Sequence, residues 1–293
     1  MRAAAILGLG SLPRDLRPFQ IANTEWTIGL PADSTGLDAL LIFGGDGTVH
    51  RHLGALVKLQ LPVLVVPAGS GNDFARALGL QRVHDSLTAW AKYASGASNV
   101  RTVDLGTIQS LGATSPSTHT LTYFSCAAGV GIDGEISRRA NALPRWLRAH
   151  GGYALSLPGA VLSFRPFILK LSTTQSQDAA NLVARGEQSV LAAVFANTPV
   201  YGGGMRIAPR ARMDDGQLDI CLIRDIAKLK LLSVFPSVYF GRHLGIREVE
   251  YFPTVCAKVE TDRPLDVYAD GERVCQTPVE IGVAPAALRV IVP

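Results

Sequence analysis

The chain is poor in charge and in cysteine, and it has no long apolar run. Asp, Glu, Lys and Arg together make up only 18% of its 293 residues, against 47% apolar ones. That balance excludes a disordered or fibrous chain and leaves enough apolar surface for a sizeable core. The formal net charge of +4 is too mild a surplus to imply nucleic-acid binding. No apolar run reaches the roughly 18 residues that a membrane-spanning helix needs. The best candidate, Gly152 to Phe164, is broken by Pro158. Cys126, Cys221, Cys256 and Cys275 include no Cys-x-x-Cys pair, which argues against a zinc site or disulfide framework and for reduced thiols in a cytosolic protein. Met1-Arg2-Ala3 through Leu9 has the charge and apolar run of a short signal peptide. No small-residue cleavage site follows, so a buried first strand is expected there.

At roughly 150 residues per domain, the length fits two modest domains or one large one. The first hundred residues alternate two patterns. Leu40 to Phe43 and Leu61 to Val66 read as short buried strands. Val49, Leu53, Leu56 and Val57 recur at helical spacing, as do Leu87, Trp90, Ala91 and Ala94, and a further helix is expected from Asn72 with Phe74 and Leu78 on one face. Strand, helix, strand, helix in this order argues for a parallel sheet with right-handed crossovers. Past Asp104 the period becomes two, in Val103-Leu105, Phe167-Leu169-Leu171, Leu218-Ile220-Leu222, Val255-Ala257-Val259 and Leu265-Val267-Ala269. Short alternating strands between Gly, Pro and Asp turns predict a β-sandwich, interrupted by one helix over 227–240. The expectation is an α/β nucleotide-binding domain over 1–104 and a β-sandwich domain over 105–293.

Two glycine-rich loops stand at the strand-to-helix junctions. Gly44-Gly45-Asp46-Gly47-Thr48 and Gly69-Ser70-Gly71-Asn72-Asp73 each follow a strand and open a helix. Glycine lets backbone approach a phosphate, and a helix N-terminus offers unpaired N–H groups and a positive dipole. Two such loops at one end of a parallel sheet converge on a single crevice. The Asp46 carboxylate would repel an anion there, a conflict that a divalent cation would resolve. Either loop could instead be a tight turn with a capping Asp. Other nucleotide signatures fail: there is no Gly-x-x-x-x-Gly-Lys, and Ile223-Arg224-Asp225 opens no protein-kinase catalytic loop. Gly129-Val130-Gly131-Ile132-Asp133-Gly134 matches the dinucleotide pattern literally, without the later acidic ribose partner, and is read as chance.

With these loops, Val103-Asp104-Leu105-Gly106, Gly202-Gly203-Gly204-Met205 with Ala208-Pro209, Asp214-Asp215-Gly216-Gln217-Leu218-Asp219 and Asp270-Gly271-Glu272 appear in one order. The set resembles the catalytic domain shared by diacylglycerol, sphingosine and ceramide kinases, especially the small soluble bacterial lipid kinases. The resemblance implies ATP in a cleft between an N-terminal nucleotide domain and a C-terminal β-sandwich. It implies that Gly44, Gly45, Asp46, Gly47, Thr48, Val49 and His50, with Gly69, Ser70, Gly71 and Asn72, hold the nucleotide. Asp46, Asp73 and Asp104 would form a water-bridged network around a catalytic Mg2+, and Asp270 would be the general base. A structural Mg2+ would sit on Asp215 with backbone carbonyls near Arg212, Gln217 and Leu218. Asp270 is otherwise an ordinary hairpin-turn Asp.

Three features depart from the family pattern. Ile6-Leu7-Gly8-Leu9-Gly10-Ser11-Leu12-Pro13 replaces the usual Asn-Pro loop, the segment before Gly44 is short, and His50-Arg51 replaces the common Asn-Glu. On the lipid side, residues 136–177 contain no Asp or Glu but carry Arg138, Arg139, Arg145, Arg148, Arg165 and Lys170, with Trp146, Leu147 and Tyr153 among them. Such a stretch suits an anionic membrane surface, unless its arginines pair with acids elsewhere in the fold. Glu135, or else Asp133, is the expected contact for a lipid head group. His50 is expected near the nucleotide, His243 in a loop, and His119 and His150 on the surface. The expected partners are a lipid substrate, an anionic membrane and a second copy of the chain, with no nucleic acid, for a cytoplasmic, peripherally membrane-associated enzyme. The rival readings are an NAD kinase-like enzyme and a catalytically silent nucleotide or lipid sensor.

Overall fold

The computed structural model describes residues 1–20, 24–112, 121–144, 152–176 and 181–293. Four strands open the chain: β1 (Arg2–Leu7), β2 (Glu25–Ile28), β3 (Ala39–Gly44) and β4 (Val63–Pro67). They pair in parallel in the order β4-β3-β1-β2. Every residue of β3 and β4 is buried, which is why both read as continuous apolar runs rather than alternating ones. Helix α1 (Asp46–Leu59) follows β3 and buries Val49, Leu53 and Leu56. Helix α2 (Asp73–Ala77) and helix α3 (Val83–Ala94) follow β4. The buried face of α3 is one residue out of phase with the expected one. It carries Ser86, Ala89 and Trp90, and Ala91 is exposed. Trp90 sets that phase, because its indole N–H donates at 2.8 Å to the carbonyl of Phe19, at the end of the 3-10 segment Pro13–Phe19 packed against α3.

The remaining strands are β5 (Val100–Ser110), β6 (Thr122–Phe124), β7 (Ala127–Gly131), β8 (Phe167–Thr174), β9 (Val183–Ala196), β10 (Leu218–Arg224), β11 (Val249–Thr254), β12 (Cys256–Thr261), β13 (Asp266–Ala269), β14 (Glu272–Gln276) and β15 (Val279–Ile291). They form the β-sandwich. Phe167, Leu169 and Leu171 of β8, Leu218, Ile220 and Leu222 of β10, and Val255, Ala257, Val259, Val267 and Ala269 share one core. The period-two segments of β8, β10, β12 and β13 are therefore the inward faces of these strands, whereas Val103 and Leu105 of β5 lie in the core of the parallel layer.

The parallel sheet and the sandwich are not separate sheets. β15 runs antiparallel to β5 with a break in register between Ala284 and Leu288. Before the break Val279, Ile281 and Val283 line the sandwich core; after it Leu288, Val290 and Ile291 line the core of the parallel layer. Val290 also pairs in parallel with Val63. One mixed sheet of 15 strands results.

Helices α4 (Ile132–Ala142), α5 (Gly152–Ser163) and α6 (Lys228–Val234) contribute to a third, smaller cluster. The helix expected over 227–240 is α6 followed by a 3-10 turn at Phe235–Phe240; Pro236 has no N–H to continue the ladder. Pro158 lies inside α5. Among the described residues no helix is long and apolar enough to cross a membrane. All four cysteines are free, three of them buried.

Candidate active site

The two glycine loops lie against each other at the C-terminal edge of the parallel strands. A Cβ on Gly69 would sit 2.3 Å from the Cα of Gly45, and one on Gly45 would sit 2.8 Å from the Cα of Gly69. Ordinary carbon contacts need about 3.5 Å or more, so this backbone-on-backbone packing excludes any side chain at either position. Asn72 closes the second loop from within. Its φ is 57°, a left-handed conformation that Asn tolerates. Its Oδ1 accepts the Gly69 N–H at 2.9 Å and its Nδ2 donates to the Gly69 carbonyl at 2.8 Å.

Asp46 bridges the loops. Its carboxylate accepts the N–H of Asp73 at 3.0 Å and of Phe74 at 3.1 Å, capping α2 from the neighbouring loop. The conflict between this carboxylate and an anion thus has a resolution in the fold itself: the charge points into a helix N-terminus. Burial, then the charges of Asp73 and Asp270, outweigh those two amides and push the Asp46 pKa up to about 6. In the first turn of α1 the amides of Thr48 and Val49 donate to the Gly45 carbonyl at 2.9 and 3.1 Å, while those of Asp46 and Gly47 have no helical acceptor and stand at the same edge.

Asp73 and Asp104, 3% and 4% exposed, tie the C-terminal segments to this edge. Asp73 Oδ2 accepts the Gly203 N–H at 2.8 Å, and its Oδ1 accepts from Arg76 at 2.7 Å. Gly202, Gly203 and Gly204 all have positive φ, which explains three glycines in a row. Burial leaves the Asp73 carboxyl above its ordinary pKa despite these partners. Asp104 accepts the N–H of Gly216 and of Ala286, each at 2.7 Å. Ala286 lies in the break of β15, so Asp104 satisfies the amide that the bulge frees from the ladder.

Asp270 occupies the two-residue turn of the β13–β14 hairpin, with φ of 49° at Asp270 and 84° at Gly271. It is a hairpin-turn Asp, and its side chain is also fully buried. The carboxylate accepts the Ser125 N–H at 2.8 Å, the Ser125 hydroxyl at 3.1 Å, the Cys126 N–H at 2.8 Å and the Ala127 N–H at 3.3 Å. His50 Nδ1, from the first turns of α1, lies 3.2 Å from its Oδ2. Sequence reasoning did not single out Ser125 or Cys126; they lie in the short link between β6 and β7 and belong to no motif.

The remaining candidates lie apart from this cluster. Glu135 pairs with Arg138 and Arg139 at 2.8 and 2.6 Å, and those bonds, offset by partial burial, hold its carboxyl below the ordinary range. These two arginines are therefore matched by an acid of their own helix. Arg165 and Lys170 are exposed. Arg145, Trp146, Leu147, Arg148, His119 and His150 lie outside the described residues, as does the Tyr153 side chain. Asp133 is buried, hydrogen-bonded to the Tyr201 hydroxyl. It borders an apolar cavity of about 60 Å3 lined by Ile132, Ile136, Leu157, Ile226 and Leu231. The Gly129-to-Gly134 segment does run from strand to helix, but its space is filled internally, since a Cβ on Gly129 would lie 2.0 Å from Asp133 Oδ2. His243 is not in an open loop: it is 2% exposed, and its Nε2 meets the Ile207 carbonyl at 3.0 Å.

Asp215 lies in an exposed turn, its Oδ1 accepting the Gln217 N–H at 3.1 Å. Asp214 beside it pairs with Arg101 and Arg212. Among the described residues no three His, Cys, Asp or Glu side chains converge closely enough to hold a metal directly. Asp46, Asp73 and Asp104 already accept backbone amides, so their remaining lone pairs fit a hard cation reached through water.

A parallel sheet with paired glycine loops, continued into a β-sandwich whose hairpin carboxylate meets α1, defines the fold class that NAD kinases and diacylglycerol kinases share. Residues 15–108 match the diacylglycerol kinase catalytic domain. Residues 126–292 match the YegS C-terminal NAD kinase beta sandwich-like domain. The chain belongs to the diacylglycerol kinase family of lipid kinases. A diacylglycerol kinase of Mycobacterium tuberculosis is 33% identical over 273 residues, spanning 89% of this chain and 79% of that protein. The crystal structure of a diacylglycerol kinase from Bacillus anthracis has the same fold, with a TM-score of 0.69 at 17% identity over 100% of this chain and 97% of that one. An NAD kinase from Archaeoglobus fulgidus, in complex with ATP, aligns less closely, with a TM-score of 0.52 at 13% identity over 99% and 93% of the two chains.

Proposed function

We propose that this protein transfers the γ-phosphate of ATP to a hydroxyl of a lipid such as diacylglycerol or a sphingoid-type lipid. The observation that carries this reading is the meeting of Asp270 with His50. It joins a carboxylate of the C-terminal β-sandwich to the helix that opens from the first glycine loop. Phosphoryl transfer asks for a cradled, charge-neutralised triphosphate and an oriented acceptor hydroxyl more than for covalent help. Residues 44–49 and 69–72 cradle the triphosphate, and the paired Asp270 and His50 supply basicity toward the hydroxyl. Mg2+, when bound, neutralises the phosphates, and Asp46, Asp73 and Asp104 hold it through water. A second, structural Mg2+ belongs to Asp215 and the carbonyls around Arg212, Gln217 and Leu218. The functional division falls at 104/105, with the last turns of β15 returning to the nucleotide side.

The lipid tail belongs in the apolar cavity beside α4, α5 and α6. At about 60 Å3 it holds roughly two water volumes, so a tail enters only as these helices part. Of the two acids near the lipid side, Glu135 is spent on its arginines and Asp133 borders the cavity; the head group falls to Asp133. Leu155, Leu162, Leu229 and Phe240 are exposed on the elements around the cavity and suit contact with a membrane surface.

The test is transfer of labelled γ-phosphate from ATP with Mg2+ into mixed lipids in detergent micelles, beside Asp270→Asn. Label in the organic phase that the variant abolishes supports the reading. No labelled lipid, with NAD phosphorylated instead, overturns it in favour of the NAD kinase branch.

A further inference from the structure

The carboxylate credited with basicity is badly placed to accept a proton itself. Asp270 has no exposed side-chain surface. Its two oxygens offer about four lone-pair directions, and five donors point at them: two from Ser125, the amides of Cys126 and Ala127, and His50 Nδ1. Each donor occupies a lone-pair direction that an incoming proton would need. A lipid hydroxyl could reach it only by displacing one of them. His50 is different. Its ring keeps 12% exposure, and because an ionised Asp270 only accepts, Nδ1 carries the proton and Nε2 keeps its lone pair. No described residue hydrogen-bonds that second nitrogen.

We propose that His50 is the general base of the transfer, with Asp270 as the carboxylate that orients its ring and stabilises its charged form. This deepens the lipid-kinase reading and rests on it. As the lipid oxygen bonds to the γ-phosphorus, its proton passes to His50 Nε2. The bond from phosphorus to the β-bridging oxygen breaks with its electron pair, leaving ADP, and the imidazolium later returns the proton to solvent. The logic is that of a carboxylate–histidine pair in acyl transfer, applied to a phosphoryl acceptor. Burial opposes the charged ring, but the hydrogen bond and charge of Asp270 and the charge of Glu272 leave the His50 pKa above 6.5. The other charged or titratable groups on elements packed against α1 are Tyr123 of β6, Asp73 and Arg76 of α2, and Glu280 and Arg289 of β15, with Asp46, Arg51, His52 and Lys58 on α1 itself.

Wild type should show kcat/KM rising with pH through a group above 6.5. His50→Gln should lose about 10² to 10⁴ in kcat, with the ATP KM changed only a few-fold and the pH dependence gone. Imidazole should restore His50→Gly in proportion to its free-base concentration. Equal kcat and an unchanged pH profile in His50→Gln would overturn the proposal and return the proton to Asp270. A raised ATP KM alone would overturn it in favour of a nucleotide contact. The pairing has its own readout: by NMR the His50 pKa should fall in Asp270→Asn, and an unchanged value refutes the pair. If wild type is inert toward every lipid, the kinase reading fails by itself, while the NMR titration still decides the pair.

Discussion

Adding one methyl group at Gly69 should separate the two loops and disable the nucleotide crevice. In Gly69→Ala the new carbon starts 2.3 Å from the Gly45 Cα and 2.8 Å from the Gly45 N. A normal contact of about 3.5 to 4.0 Å therefore requires a shift of about 1.2 to 1.7 Å in backbone held by β3 and β4. Forcing extra volume into packed structure costs about 1–3 kcal/mol, and a 1 Å misplacement of positioning groups can cost about 10²-fold in rate. Gly54→Ala is the matched control. It lies exposed in the middle of α1 with nothing within 4 Å of its Cβ, so it should gain about 0.5–1 kcal/mol from helix entropy. The assays are thermal unfolding with and without Mg-ATP, and ATP titration by calorimetry. The expected result is a lower melting temperature and lost ATP affinity for Gly69→Ala, with a small rise and unchanged affinity for Gly54→Ala. Wild-type ATP binding and stability in Gly69→Ala would refute the packed-loop geometry.

Three further outcomes test other parts of the site. Asp104→Ala removes the acceptor of the Gly216 and Ala286 amides; Ala286 is exposed and Gly216 half-buried, so water replaces part of the loss, and at about 0.5–1.5 kcal/mol for each lost hydrogen bond denaturant midpoints should fall by the equivalent of about 1–3 kcal/mol. Asp133→Asn should raise the lipid KM, whereas Glu135→Ala should change it less than about two-fold in micelle assays, since a surface ion pair contributes roughly 0–1 kcal/mol. The Asp46 carboxyl titrates at about 6 in the fold against 3.8 as a free group, so it binds its proton more tightly folded than unfolded. Its contribution therefore favours the fold below pH 3.8 and is lost as pH rises to about 6. Asp46→Asn should flatten the stability–pH curve over that window, as read by urea unfolding.

Much of this architecture was legible because it depends on local pattern. β3 and β4 announced themselves as continuous apolar runs, and the strands of the sandwich as period-two segments, since burial on two faces or one dictates those patterns directly. The phase of α3 was missed because Trp90 turns toward a carbonyl of the 3-10 segment Pro13–Phe19, a contact that spacing within one helix does not encode. Continuity of the two sheets was hidden for a similar reason. β15 changes cores at a bulge whose freed amide is satisfied by Asp104, nearly two hundred residues earlier in the chain.

The motif residues divide in the same way. Spacing and residue type marked Asp46, Asp73 and Asp270 as acids at glycine-rich turns, and the family resemblance added Asp104, which lies within strand β5. What each acid does was decided by the partners the tertiary structure delivers. Asp46 caps the helix of the other loop, Asp73 holds the triple-glycine turn, Asp104 satisfies a bulge, and Asp270 is enclosed by Ser125, Cys126, Ala127 and His50. A carboxylate's basicity depends on burial and on the donors around it, and those donors come from sequence positions far from its own.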